Sequence, residues 1–187
     1  EGGPGTGKSV LAINLLVVLT QQELVVQYVT RNSAPRLVYE VKLTGSFKKS
    51  HISNIFSGSG RFHAVQTNSF DCLVVDEAHR LNEKSGMFSH LGENQIKEII
   101  NASKLSVFFI DEDQKVTLKD IGDKESIRHW AEELGAEVVE ATLESQFRCN
   151  GSNGYLAWLD NTLQIRETAN KILDASEYDF RLVDTPE

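Results

Sequence analysis

Hydrophobic runs alternate with amphipathic segments along the whole chain of 187 residues. Three runs are rich in valine, isoleucine and phenylalanine and predict buried strands: LVVQYVT at 24–30, DCLVVD at 71–76 and LSVFFI at 105–110. Amphipathic or wholly apolar segments predict helices at 8–20, 92–102, 126–134 and 154–163. Strands that alternate with helices in this way are typical of an α/β domain with a mostly parallel sheet.

The segments between these elements carry weaker signals. The helix at 8–20 is apolar on nearly every face, which predicts that it is heavily buried. Residues 46–68 are polar and contain glycines, so they predict an irregular connection. Further elements are predicted as a helix that Ser33 caps, a strand at 138–143 and a late strand at 179–183.

Composition and charge narrow the class of protein. With 40% hydrophobic and 25% charged residues the chain is an ordinary globular one, which excludes a disordered or fibrous protein. Its net charge is -8, so bulk positive charge cannot carry nucleic-acid binding. No apolar run reaches the roughly 18 residues of a membrane helix, and no signal peptide is recognisable. Cys72 and Cys149 are too few for a disulfide framework, and a cytoplasmic location is therefore predicted.

The first motif is a glycine-rich loop, GGPGTGKS, which satisfies the pattern G-x-x-x-x-G-K-[ST] of a Walker A phosphate-binding loop. Its glycines let the backbone turn so tightly that N–H groups point at phosphate oxygens, at the N-terminus of the predicted helix. Lys8 would place a positive charge on the β- and γ-phosphates, and the Ser9 hydroxyl would bind Mg²⁺. The alternative is a chance glycine-rich turn. The predicted nucleotide-binding residues are Gly2, Gly3, Pro4, Gly5, Thr6, Gly7, Lys8 and Ser9.

The second motif, VVDEAH, places Asp76 and Glu77 at the end of a buried strand, as a Walker B motif does. Ligands of open α/β sheets bind at the carboxyl ends of the strands. Asp76 is predicted to hold Mg²⁺ through water, and Glu77 to orient or deprotonate the attacking water. The alternative is a solvated strand end or a helix cap. His79 either couples the nucleotide site to a neighbouring surface or is a packed or solvated histidine.

Two further motifs each offer one polar side chain to a phosphate. IDEDQ follows the strand at 105–110 and supplies Gln114, a neutral amide that can contact a γ-phosphate or the attacking water. SQFRC supplies Arg148, which could neutralise charge on the transferred phosphoryl group as an arginine finger does. The alternatives are a loop glutamine beside solvated acids and an arginine in a surface ion pair.

Taken in order, these motifs resemble the first lobe of a superfamily 1 helicase. GGPGTGKS resembles its motif I, VVDEAH motif II, IDEDQ motif III and SQFRC motif IV, while YVTRNSAP lies where motif Ia contacts single-stranded nucleic acid. More narrowly, the chain is similar to the Schlafen-like DNA/RNA helicase domain of bacterial proteins. That similarity rests on the stretches VTRNSAPR, VDEAHRLNEKSG, LGENQIKEIINAS, FFIDEDQKVTLKDIG and SQFRCNGSNGYLAWLDN, and it covers nearly the whole chain.

The resemblance implies a fold, cofactors and residue roles. The implied fold is a RecA-like P-loop NTPase, in which helices sandwich a parallel sheet, and the implied cofactors are ATP and Mg²⁺. By the resemblance, Gly5, Gly7, Lys8 and Ser9 bind phosphate and magnesium, Asp76 and Glu77 act on metal and water, and Gln114 and Arg148 contact the γ-phosphate. Arg31, Asn32 and Ser33 would lie on the path of single-stranded DNA or RNA.

The domain organisation is predicted from the same resemblance. Residues 1–165 form the ATPase lobe, and residues 166–187 are a linker and the start of a second lobe. A phosphate-binding loop normally follows a hydrophobic strand, so the chain is expected to be a fragment that lacks its N-terminal P-loop strand. Helicases of this class hydrolyse ATP between two lobes. The fragment is therefore expected to bind nucleotide yet be weakly active or inactive without its second lobe in cis.

Three classes of function compete. The leading one is the ATPase lobe of a DNA/RNA helicase or translocase. The second is an ATP-binding regulatory switch that does not unwind nucleic acid, which the net charge of -8 favours. The third, a GTPase or small-molecule kinase, is disfavoured because the chain has no Asn-Lys-x-Asp or Thr-Lys-x-Asp loop. The Asp-Glu pair also suits an ATPase that activates water better than a kinase that excludes it.

Overall fold

The computed structural model describes residues 1–32, 54–86, 88–115, 117–143, 153–165, 167–173 and 183. The chain divides into two compact units, of which the first is Glu1–Gly2 with Gly7–Leu143 and the second is Gly3–Thr6 with Glu144–Glu187. Ser33, Arg148 and nearly all of the strand predicted at 179–183 lie outside the described residues. The predicted boundary at residue 165 stays a prediction.

A parallel sheet forms the centre of the first unit. Its strands are β1 (Val26–Thr30), β2 (Phe56–Ser57), β3 (Phe70–Asp76) and β4 (Ser103–Phe108), in the spatial order β2-β1-β3-β4. In the register of β1 and β3, Thr30 lies opposite Asp76, and in that of β3 and β4, Val75 lies opposite Phe108. All strands therefore end at one edge, called here the carboxyl edge, and the predicted α/β class with a parallel sheet is confirmed.

In the described residues, the first unit contains the helices α1 (Lys8–Gln21), α2 (Gln95–Ala102) and α3 (Lys124–Glu133). The second unit contains α4 (Asn153–Thr162). Short polar side chains define two of the starts. Asn94 accepts from the first backbone N–H groups of α2, and Asp123 accepts from an N–H group of α3. The four predicted helices are confirmed, with ends that differ by a few residues.

The two faces of β3 are covered by different helices. Successive strand residues point to opposite faces. Leu73 and Val75 belong to a core that includes α2, whereas Cys72 and Val74 belong to a core that includes α1. Burial raises the pKa of the Cys72 thiol to about 11, so it stays protonated and is a small core residue, as predicted. Helices thus lie on both faces of the sheet.

The prediction that α1 is heavily buried is wrong. Val10, Leu11, Val17 and Val18 are exposed, whereas only Lys8, Ala12 and Leu16 of the helix are buried. A helix that packs on one face of a sheet buries one stripe of side chains. The apolar residues on its other faces have no comparable layer to cover them in the described part of the chain.

Two irregular segments also differ from expectation. Residues 46–68 were predicted to be irregular, yet their described part contains β2 and a 3₁₀ helix, Ser59–Ala64. The strand predicted at 138–143 does not form, although these residues are described. Of these residues only Leu143 makes a parallel bridge, and its partner is Gly2.

The segment Glu1–Gly2 lies beside the residues that follow β4. The Gly2 N–H donates to the carbonyl oxygen of Ile110 at 3.3 Å, and the Leu143 N–H donates to the carbonyl oxygen of Glu1 at 2.7 Å. Since Ile110 lies just after β4, these contacts place the start of the glycine-rich loop at the carboxyl edge. A preceding P-loop strand stays a prediction.

Candidate functional site

Lys8 connects the start of α1 to the end of β4. It is the first residue of α1, and its Nζ donates to the carbonyl oxygen of Gly2 at 2.6 Å. The same Nζ pairs with Asp111 Oδ2 at 3.0 Å, and the two side chains are 7% and 3% exposed. A buried ammonium must be matched by an anion or by carbonyl oxygens. The structure therefore gives Lys8 an internal carboxylate as its partner.

The glycine-rich turn has the backbone that its sequence demands. Gly5 and Gly7 have φ angles of 78° and 86°, in the left-handed region that L side chains rarely adopt. Within the turn, Thr6 donates to the carbonyl oxygen of Gly3 through its N–H at 3.4 Å and through Oγ1 at 2.9 Å. Gly7 is the N-cap of α1 and supplies no side chain to its first-turn N–H groups. Such an uncapped helix N-terminus suits an anion.

Asp76 is the last residue of β3 and is 2% exposed. Its Oδ2 accepts a 2.5 Å hydrogen bond from the Tyr28 hydroxyl, which comes from the neighbouring strand β1. Its Oδ1 is buried and has no hydrogen-bond partner among the described residues. A buried carboxylate oxygen without a partner is costly. The free oxygen of Asp76 therefore fits a role as ligand to a cation or to the water around one.

Glu77 follows Asp76 in a strained backbone conformation, with φ 55° and ψ 44°. A non-glycine residue in this region costs on the order of 1–3 kcal/mol, and such residues are enriched at functional sites. The side chain is 31% exposed, and its Oε2 lies 3.0 Å from His79 Nε2. The strand end thus directs one carboxylate inward, at Asp76, and leaves the next one accessible to solvent.

Gln114 and Asp111 follow β4 at the same edge. Gln114 Nε2 donates to Asp111 Oδ2 at 2.8 Å, so that one oxygen receives both the amide and the Lys8 ammonium. The structure therefore brings Gln114 close to Lys8, whereas its predicted contact with a γ-phosphate stays a prediction. Asp111 was missed as a site residue. Its signal was present, since it is an acid directly after a buried hydrophobic strand.

His79 lies between the ends of β3 and β4 and is 1% exposed. The Asp111 N–H donates to its Nδ1 at 3.3 Å, and its Nε2 faces Glu77. Its burial agrees with a packed histidine and excludes a solvated one, while coupling of the nucleotide site to a neighbouring surface stays a prediction. A continuous series of polar contacts runs from Lys8 through Asp111 and His79 to Glu77.

The chain matches the model of a known domain family. The model of the Schlafen group 3, DNA/RNA helicase domain matches residues 1–187. The chain belongs to this family. The comparison with curated proteins gives no significant match. The resemblance proposed from the sequence is therefore confirmed over the whole chain, and a helicase-like role follows at the level of the family.

The residues expected on the nucleic-acid path of this helicase domain are in part engaged with protein. Arg31 NH1 donates to Asp120 Oδ1 at 2.7 Å and to the carbonyl oxygen of Arg80 at 3.1 Å. The Asp120 side chain is fully buried and also lies 3.1 Å from Arg80 Nε. Asn32 is exposed at the end of β1. Arg31 thus ties β1 to the turn after Glu77, and Ser33 lies outside the described residues.

Two features bear on a metal site and on the membrane. In the described residues of the helicase domain, no group of three or more His, Cys, Asp or Glu side chains could hold a metal ion. Ser9 lies half-buried in the first turn of α1. A hydroxyl and a carboxylate are ligands that Mg²⁺ can accept when waters and phosphates complete its shell. None of the described helices has the length and apolar character needed to cross a membrane.

Gly122 packs against the turn that follows Glu77, and this contact gives a stability prediction. A Cβ atom on Gly122 would lie 1.8 Å from the carbonyl oxygen of Ala78 and 2.8 Å from the Cα atom of His79. Backbone atoms move aside only at high cost, so we expect Gly122→Ala to lower the free energy of unfolding by about 3 kcal/mol. Urea denaturation followed by circular dichroism measures the change.

Gly60→Ala is the matched control for that prediction. Its Cβ would lie 3.2 Å from Oγ and 3.3 Å from Cβ of Ser85, so the side chain of Ser85 needs to shift by only a few tenths of an ångström. We expect this variant to lose about 1 kcal/mol or less. Equal unfolding midpoints for Gly122→Ala and the unsubstituted chain would show that the turn after Glu77 yields without cost.

Proposed function

We propose that the chain is the ATP-binding, Mg²⁺-dependent ATPase lobe of a DNA/RNA helicase or translocase. The observation that carries the proposal is the buried Lys8 ammonium, held by Gly2 and Asp111 at the carboxyl edge of a parallel sheet. Ligands of open α/β sheets bind at this edge. The membership of the helicase-domain family supports the same assignment.

Phosphate binding is assigned to the glycine-rich loop, residues 2–9, and to Lys8 in particular. The left-handed Gly7 and the uncapped start of α1 support an anion site. When a nucleotide binds, its phosphate oxygens would replace Asp111 as the anionic partners of Lys8. This P-loop NTPase assignment fits the parallel sheet with helices on both faces.

Mg²⁺ would be held by the Ser9 hydroxyl and, through water, by Asp76. The buried Oδ1 of Asp76 without a hydrogen-bond partner among the described residues supports this fit. Bound there, the ion would neutralise charge on the phosphate oxygens. Tyr28, which donates to the other oxygen of Asp76, would hold the carboxylate in one orientation.

Hydrolysis is assigned to Glu77, Gln114 and Arg148. Glu77 would orient the attacking water and take up its proton, which its solvent-accessible carboxylate allows. Gln114, which already lies beside Asp111, would contact the γ-phosphate. Arg148 would neutralise the charge of the transferred phosphoryl group and stays a proposal from its motif alone.

A second candidate function is an ATP-binding switch that regulates a partner without unwinding nucleic acid. Two observations favour it: the net charge of -8 and the pairing of Arg31 with a buried aspartate. In the helicase proposal, Arg31, Asn32 and Ser33 instead contact single-stranded DNA or RNA. Asn32 is exposed and Arg31 is one-third exposed, so a nucleic-acid strand could reach both side chains from the solvent.

Nucleotide binding and hydrolysis by the full-length protein test these proposals. We expect ATP to bind more tightly than GTP, and hydrolysis to require Mg²⁺ and to rise when single-stranded DNA or RNA is added. A colorimetric phosphate assay with each nucleic acid in turn measures this. Hydrolysis that neither DNA nor RNA stimulates would favour the switch, and absence of ATP binding would overturn both functions.

A further inference from the structure

His79 is a buried histidine that the proposed mechanism does not use. We propose that His79 is a positioning residue, which holds the Glu77 carboxylate in the orientation required for water attack. The inference rests on the proposed ATPase function and assigns to that site a residue acting through Glu77. It is carried by two contacts, Asp111 N–H to Nδ1 at 3.3 Å and Nε2 to Glu77 Oε2 at 3.0 Å.

The hydrogen-bonding capacity of the ring is divided between those two contacts. A neutral imidazole has one donor and one acceptor nitrogen. Because Nδ1 accepts from a backbone N–H, the ring hydrogen lies on Nε2, which donates it to Glu77. The ring is 1% exposed, so packing also prevents it from turning away. Its donor is therefore held towards one carboxylate oxygen of Glu77.

Glu77 is a side chain for which such a contact matters. Its backbone is set by the left-handed conformation at the end of β3, but its carboxylate lies on a flexible side chain that is 31% exposed. A reacting group displaced by about 1 Å can lose about 100-fold in rate. A hydrogen bond from a rigid, buried ring reduces the range of positions that the Glu77 carboxylate can occupy.

Through its second nitrogen, His79 also connects Glu77 to Asp111, the residue that pairs with Lys8. The backbone of Asp111 orients the ring, while the side chain of Asp111 pairs with Lys8 and Gln114. His79 therefore bridges the ends of β3 and β4 at the position where the proposed water activation and phosphate contacts meet. A histidine that merely filled space would not need both nitrogens directed at these two segments.

Two substitutions separate positioning from packing. In His79→Asn the short amide can still accept from the Asp111 N–H, but it cannot reach Glu77. In His79→Gln the longer amide can donate to Glu77. For the full-length protein we expect His79→Asn to lower kcat about 10- to 100-fold with the KM for ATP unchanged, and His79→Gln to recover most of the rate. His129→Gln, at an exposed histidine of α3, is the control and should leave kcat unchanged.

A double substitution completes the test. If His79 acts through Glu77, then His79→Asn should cost no further rate when combined with Glu77→Gln. Unchanged kcat in His79→Asn, or a full additional loss in the double variant, would overturn the positioning role. Binding of ATP and the melting temperature are measured for each variant, and a loss of either in both His79 variants would make the residue structural. Absence of hydrolysis in the unsubstituted protein would overturn the proposed function itself.

Discussion

Replacing Lys8 with alanine is expected to weaken ATP binding by about 100-fold or more. Hydrogen bonds to a charged group contribute about 1.5–3 kcal/mol each, and Lys8 is placed to make more than one of them to phosphate oxygens. Asp111 would be left buried opposite a methyl group in this variant, which adds an unpaired charge close to the phosphate. Isothermal titration of the purified protein with ATP measures the loss.

Lys104→Ala and Asp111→Asn are the informative companions of that variant. Lys104 lies near the start of β4, at the opposite edge of the sheet, where it pairs with Asp71 in an exposed position, so its loss should leave ATP binding unchanged. Asp111→Asn removes the internal anion that competes with phosphate for Lys8. We expect it to tighten ATP binding by about tenfold, equivalent to ~1.4 kcal/mol. Tight ATP binding by Lys8→Ala would contradict the phosphate-loop assignment.

Replacing Glu77 with glutamine is expected to leave ATP binding intact and to lower kcat by about 10²- to 10⁴-fold. The amide has the size of the carboxylate but cannot take up a proton from water. It can still accept the hydrogen bond from His79 Nε2, so the turn after β3 should keep its conformation. Phosphate release by the full-length protein, at saturating ATP and Mg²⁺, measures the effect.

Glu83→Gln is the matched control, since it makes the same chemical change at an exposed position of the following loop. We expect it to turn over ATP at the unsubstituted rate. Normal turnover by Glu77→Gln would remove Glu77 from the mechanism, although the phosphate-binding assignment of Lys8 would still stand. Glu77→Gln and its control Glu83→Gln therefore test water activation separately from nucleotide binding.

The main elements of the fold could be predicted because their signals are local. The runs that became β1, β3 and β4 are short, apolar and rich in β-branched residues, and the polar caps at Asn94 and Asp123 mark the starts of α2 and α3. The prediction of a strand at 138–143 was wrong because strand formation does not depend on local signals alone. Whether a segment forms a strand also depends on a neighbouring segment with which it can pair, and that neighbour lies far away in the chain.

The location of Lys8, Asp76 and Glu77 at the carboxyl edge was predictable for the same local reason. A glycine pattern sets the backbone of the loop, and an acid at the end of a hydrophobic strand must lie at the carboxyl edge of a parallel sheet. The sequence by itself therefore determined the fold class, the family and the positions of these side chains along the chain.

Only the tertiary structure decided which charges meet. Lys8 pairs with Asp111, which lies 103 positions away in the chain. His79 accepts a hydrogen bond from the backbone N–H of the same Asp111, 32 positions away. It likewise decided that α1 leaves Val10 and Val17 exposed, although the apolar pattern had predicted burial. Pairing and burial depend on which surfaces come together when the sheet forms, and that is a property of long-range packing rather than of any local pattern.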